Sequence, residues 1–186
     1  MLYSFDIHLQ EEDYLKFNLF HNLVSPYGKP TIFLVRLLYS ILLFLFVFIS
    51  CSSDGLSTRF FSKVLFSLLL FAVLQLLVKP MLRHLTKKQL NQLKKANKLK
   101  YSPDSRLEFY EDIYKSFEPN EKSERTYATI ERVAVAEGEA IYLYLNAFSA
   151  IIIPLDAFPT SKEKQEFIAF LKERCQTLET YPQTHA

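Results

Sequence analysis

The sequence predicts an α+β membrane protein: a two-helix transmembrane hairpin carrying a small antiparallel sheet or barrel that ends in a helix. Three observations carry this prediction. Two long apolar runs lie between residues 31 and 83. Charge is segregated: residues 1–30, 31–78, 79–100 and 101–186 carry −2, +2, +8 and −6, giving the net +2 of the 186-residue chain. Beyond Tyr101 the apolar spacing changes from the period of a helix to the period of a strand. Charge blocks of this kind argue against a single mixed-surface globule. With 49% hydrophobic residues, 3 Gly and 2 Cys, composition excludes collagen, a disulfide scaffold and a disordered chain.

Residues 1–30 read as a strand followed by an amphipathic helix. Tyr3, Phe5, Ile7 and Leu9 alternate with Leu2, Ser4, Asp6 and His8, so one face of the strand is wholly apolar. Gln10-Glu11-Glu12-Asp13 opens a helix over Tyr14 to Leu23. A lone strand is unstable in water, so Leu2–Leu9 is expected to join a sheet built from the far end of the chain.

Residues 31–83 form the hairpin, with spans at about 31–53 and 60–82. Leu37 to Ser53 is free of charge, and Val64 to Val78 contains only Gln75 as a strongly polar residue. Each reaches the roughly 20 residues that cross about 30 Å of hydrocarbon, and neither shows the polar face of a surface helix. No Asp, Glu or His lies in mid-span, which removes the residues a proton relay would use. Asp54 and Gly55 mark the short connection, so both ends of the hairpin lie on one side of the membrane. Eight cations follow the second span, against Arg59 and Lys63 at its other end. The positive-inside rule then places both termini in the cytoplasm, with the chain in the inner or plasma membrane.

Pro80 is expected to kink or break the second helix. Residues 84–100 follow as a basic amphipathic stalk. Leu82, Leu85, Leu90 and Leu93 fall on one arc, opposite Arg83, Lys87, Lys88, Lys94, Lys95 and Lys98. These six cations are candidates for the membrane surface. They could instead only set topology or meet an acidic partner. Nucleic acid is disfavoured because the stretch lacks stacking aromatics.

Residues 101–180 read as a cytosolic domain of about five strands and a helix. Strands are expected around Leu107–Tyr110, Ile113–Phe117, Thr126–Val135, Ala140–Leu145 and Phe148–Ile153, with turns at Glu111-Asp112, Pro119-Asn120-Glu121 and Glu137-Gly138-Glu139. Glu118, Glu121 and Glu124 are read as a solvated loop. Thr160, with Glu163 three residues on, caps a helix whose apolar stripe is Phe167, Phe170, Leu171 and Leu178. Tyr110, Tyr114, Tyr142 and Tyr144 are candidates for a partner-binding face, since tyrosine is enriched in such surfaces.

Glu12 to Asn18, Tyr127 to Val133 and Ala140 to Phe158, with Ile152-Ile153-Pro154, resemble the YcxB-like family of two-pass bacterial membrane proteins. Tyr127 stands where the family has Trp, and Ile113 where a turn glycine is common. The resemblance implies a pleckstrin-homology-like domain, a group composed mostly of binding modules, and it lends no catalytic residue.

The remaining chemistry points the same way. The four histidines lack metal-ligand spacing to Cys, Asp or Glu, and three glycines cannot supply a phosphate-cradling loop. Cys51 and Cys175 are separated by the membrane and have no catalytic context. No cofactor, metal or catalytic residue is expected. The expected partners are the lipid bilayer and a membrane-proximal protein or a second copy. Self-protection against a membrane-active peptide, or a role as a small transporter or enzyme component, are the alternatives.

Overall fold

The structure is a computed structural model that describes residues 1–51, 58–96, 102–119 and 121–182. Two long helices carry the apolar runs. Helix α2, Lys29–Cys51, has 23 residues, and α3, Thr58–Lys95, has 38. At about 1.5 Å per residue these are roughly 34 and 57 Å long. Both are long and apolar enough to cross a membrane, and almost none of their apolar windows is buried within the chain. Helix α3 continues unbroken through Pro80, contrary to the expected break. Proline removes one donor, that to the Leu76 carbonyl, and the helical bonds on either side carry α3 past it. The second span and the stalk are therefore one continuous helix up to Lys95. Lys98 lies outside the described residues.

The strands form two four-stranded sheets. The first runs in the order β1 (Tyr3–His8), β2 (Asp104–Phe109), β3 (Ile113–Glu118), β4 (Glu121–Thr126), all antiparallel. Strand β1 pairs with β2 in the register Phe5↔Leu107, so the first strand of the chain enters a sheet built after both long helices. This is the pairing that the apolar alternation of Tyr3, Phe5 and Ile7 demands. Strand β4 replaces the expected solvated loop: Glu121 and Glu124 lie on it, and Glu124 pairs with Lys115 at 2.8 Å. Its sequence, EKSERT, is polar on both faces, as suits an edge strand. Tyr127–Thr129 is then a 3₁₀ turn, where a strand was expected.

The second sheet runs β7 (Ser149–Pro154), β6 (Ala140–Asn146), β5 (Arg132–Ala136), β8 (Leu178–Tyr181). Gly138, at φ 74°, makes the β5–β6 turn, a conformation that favours glycine. Strand β8 pairs in parallel with β5. Leu178 belongs to this strand, whereas the sequence placed it on the final helix. That helix, α4 (Ser161–Arg174), begins as expected, with Glu163 N–H donating to Thr160 Oγ1 at 3.1 Å.

Two clusters form the core. Between the sheets, Phe5, Phe109, Tyr114 and Tyr127 meet Val133, Val135, Ile141, Leu143 and the α4 residues Phe167, Phe170 and Leu171. On the other face of the second sheet, Ala134, Ala136, Tyr142 and Tyr144 pack under Phe20 and Phe17 of α1, Glu11–Leu23. The Val-Ala-Val-Ala sequence of β5 follows from this. The valines fill the inter-sheet core, and the alanines leave room for the rings of α1. Helix α1 also packs against α2 and α3, so it joins the sheets to the long helices.

Candidate functional site

The four candidate tyrosines do not share an exposed face. Tyr114 is fully buried between the sheets, its hydroxyl 3.1 Å from Thr129 Oγ1 and its ring against Phe109 and Tyr127. Tyr142 and Tyr144 point to the opposite face of the second sheet and are fully buried under α1. Tyr110 alone of the four is partly exposed, donating to Glu108 at 2.8 Å with Lys115 over its ring. The alternation in β6 was read correctly; the covering of both its faces could not be read from it.

These buried tyrosines instead hold an elbow. The rings of Phe20 and Phe17 lie tilted at 4.8 and 5.3 Å from that of Tyr142, and Tyr27 at 5.2 Å from Tyr144. His21 Nδ1 is 3.3 Å from the Tyr144 hydroxyl. Tyr27 donates to Glu131 at 3.0 Å and carries Arg132 over its ring, while Arg132 pairs with Glu179. Burial pushes the Tyr144 phenol up to about 12 and lowers the His21 imidazole. Gly28 closes the bend, where an added Cβ would stand 2.1 Å from the His21 carbonyl oxygen. Helix α1 is thus clamped to the sheet at the point where α2 starts.

The basic residues divide. Arg83 pairs with Glu12 at 2.7 Å and Lys94 with Glu11 at 2.5 Å, both in the acidic first turn of α1. The bond from Lys94 holds the Glu11 carboxyl below its ordinary range. Between these two pairs Leu90 is 1% exposed, although its α3 segment lies beyond the apolar run. This part of α3 therefore braces α1, and Arg83 and Lys94 are engaged within the chain. Lys87, Lys88 and Lys95 remain exposed. The leucine arc and the cations were legible; their partner, an acidic turn over 70 residues upstream, was not.

A cleft of about 730 Å³ opens between the sheets. Along the register Phe5–Leu107–Ser116–Ser123 the inner face of the first sheet changes from apolar to polar. Ser116, Ser123 and Arg125 line it from the first sheet, Leu145 and Ile151 from the second, and Glu118 and Glu121 are also in its lining. Strands β4 and β7, each the end strand of its sheet, both line it. The cleft was not legible in the sequence because its serines are spread over four strands, β2, β3, β4 and β7, whose register only pairing defines. Among the described residues no three His, Cys, Asp or Glu side chains could hold a metal ion.

Residues 109–171, from the end of β2 to α4, match the family of YcxB-like proteins. No curated protein and no solved structure matches the chain.

Proposed function

Starting from a chain whose residues 109–171 are YcxB-like, we propose that it is a membrane-anchored cytosolic binding module without enzymatic activity. Its domain is of pleckstrin-homology-like build. This reading is supported by an antiparallel four-stranded sheet, a second sheet led by β5–β7, and a closing helix whose aromatics fill the space between them. Helices α2 and α3 are the anchor, with both termini in the cytoplasm, as the cations that follow the second apolar run favour.

The partner is an extended segment of a membrane-proximal protein, and it binds in the cleft between the sheets. One observation carries this assignment: two end strands, β4 and β7, border a single open cleft with one apolar and one hydroxyl-rich wall. An added strand would gain main-chain hydrogen bonds from an edge and seat alternate side chains on the two walls. A charge of −6 over residues 101–186 disfavours anionic lipid as the ligand of the domain itself.

Photo-crosslinking in living cells tests this. A benzophenone amino acid at Ser123, in the cleft, should give an adduct with another protein, and one at Gln165, exposed on α4, should not. Ser116→Trp, which fills the cleft, should abolish the adduct. Equal labelling from both positions, or adducts between copies of the chain alone, would overturn the proposal.

A further inference from the structure

Two features of the hairpin have no place in a partner-binding role. One is a cation pair at the wrong end: Arg59 and Lys63 sit in the first turns of α3, opposite the end that carries the basic cluster. Cations there oppose the orientation that the rest of the chain favours. The other is an apolar cleft of about 580 Å³ between the long helices, lined by Ser40, Phe44 and Phe48 of α2 and by Phe60, Ser67 and Phe71 of α3, among others.

The two features are contiguous. Phe60 and Val64 line the cleft and directly follow Arg59 and Lys63 in sequence. From Arg59 to Phe71 is 12 residues, about 18 Å of helix, close to the roughly 15 Å depth of one leaflet. In a spanning hairpin the cleft would thus start one residue along the helix from two cations near the membrane surface and end near mid-bilayer, at Ser40 and Phe71. A cationic mouth over an apolar slot one leaflet deep is complementary to an anionic head on one hydrocarbon chain.

We propose that this cleft is a binding site for an anionic phospholipid of the non-cytoplasmic leaflet. Arg59 and Lys63 hold the phosphate, and one acyl chain lies between α2 and α3. The inference rests on the reading that these helices span the membrane. The hydroxyl of Ser40 does not oppose an acyl chain, because it donates to its own helix, to the Arg36 carbonyl at 2.6 Å.

The chain contains no Trp, so a single introduced indole is a unique reporter. Phe44 lines the cleft; Phe46 lies at almost the same depth, two residues round the helix, and is not part of the lining. Full-length Phe44→Trp and Phe46→Trp proteins would be reconstituted in phosphatidylcholine vesicles containing chain-brominated phosphatidylglycerol or phosphatidylcholine. In the Phe44→Trp protein the anionic lipid should compete at least about fivefold better for the quenching site, the ratio expected if only one of the two cations acts at its full strength near the headgroups. The Phe46→Trp protein should show no preference. Adding Arg59→Gln and Lys63→Gln should remove the preference at position 44 while leaving quenching at position 46 unchanged.

No preference at either position, or a preference that survives the Gln variants, would overturn the site. Loss of quenching at position 44 alone, with crosslinked dimers, would assign the cleft to a second copy and overturn it equally. Failure of every brominated lipid to quench at position 46 would show that α2 is not in the bilayer, and the anchoring reading would fall with it.

Discussion

Tyr127 shows how much one side chain can fix. Its hydroxyl donates to the Tyr110 carbonyl at 2.7 Å and lies 3.2 Å from that of Ile113, strapping the β2–β3 turn to the core. Tyr127→Phe keeps the ring and leaves a carbonyl without its donor, so a loss of about 1 kcal/mol is expected. Thermal unfolding of the solubilised protein would measure it. His21 makes the domain pH-sensitive in a definite direction. Burial lowers its pKa from the ordinary 6.5, so below that value the unfolded chain binds more protons than the folded one. The stabilisation is complete above pH about 6.5 and is lost as pH falls toward the folded pKa. The groups facing it are the Tyr144 hydroxyl and the Phe17 ring, neither of which offers a carboxylate to an imidazolium. Melting temperature should fall between about pH 7.5 and 5.5, and His21→Gln should flatten that part of the profile. An unchanged slope would remove His21 as the cause.

At the scale of elements, β1 and α1 have the widest reach. Strand β1 closes the first sheet, and Phe5 touches Phe109, Phe158 and Phe167 at ring separations of 5.9, 4.9 and 4.9 Å. Phe5→Ala should therefore cost about 3–5 kcal/mol and make sites beyond residue 101 sensitive to protease, far along the chain from the change. Resistance equal to the unsubstituted protein would show that β2 does not depend on β1. Helix α1 gathers three surfaces: the tyrosines of the second sheet, the start of α2 and the middle of the basic rod. Its ion pairs with Arg83 and Lys94 are about one-third or more exposed, so solvent screens them and they add little stability. Their effect is to fix the angle of α1 on α3, with burial of Leu15, Leu19 and Leu90 supplying most of the energy.

For the whole molecule, the segment charges become an arrangement. The −6 of residues 101–186 falls on the segment of β2–β8 and α4, and six of the eight cations of residues 79–100 lie on α3, which meets the acidic turn of α1. Strand β1 precedes the two long helices and pairs with β2 after them, so two helices that span a membrane would have to return the chain to the same side. Reporter fusions at the two termini should thus be active in the same compartment. Opposite results would be incompatible with the β1–β2 ladder in a chain that crosses twice.

Several features were decided by local chemistry and were legible in the sequence. They include the two apolar helices, the Thr160 cap, the Gly138 turn and the alternation of Tyr3-Phe5-Ile7 and Ile141-Leu143. Each rests on residues within a turn or a strand of one another. Other features depended on contacts between distant segments. Strand β8 has four residues and exists because β5 offers an edge. Strand β4, polar on both faces, carries no burial signal and forms because β3 pairs with it. The tyrosines of β6 are buried because α1 lies on them, and Arg83 is neutralised by a carboxylate from the other end of the chain. Alternation specifies which side chains share a face; whether that face meets water, a helix or an open cleft is set by what packs against it, and only the tertiary structure supplies that.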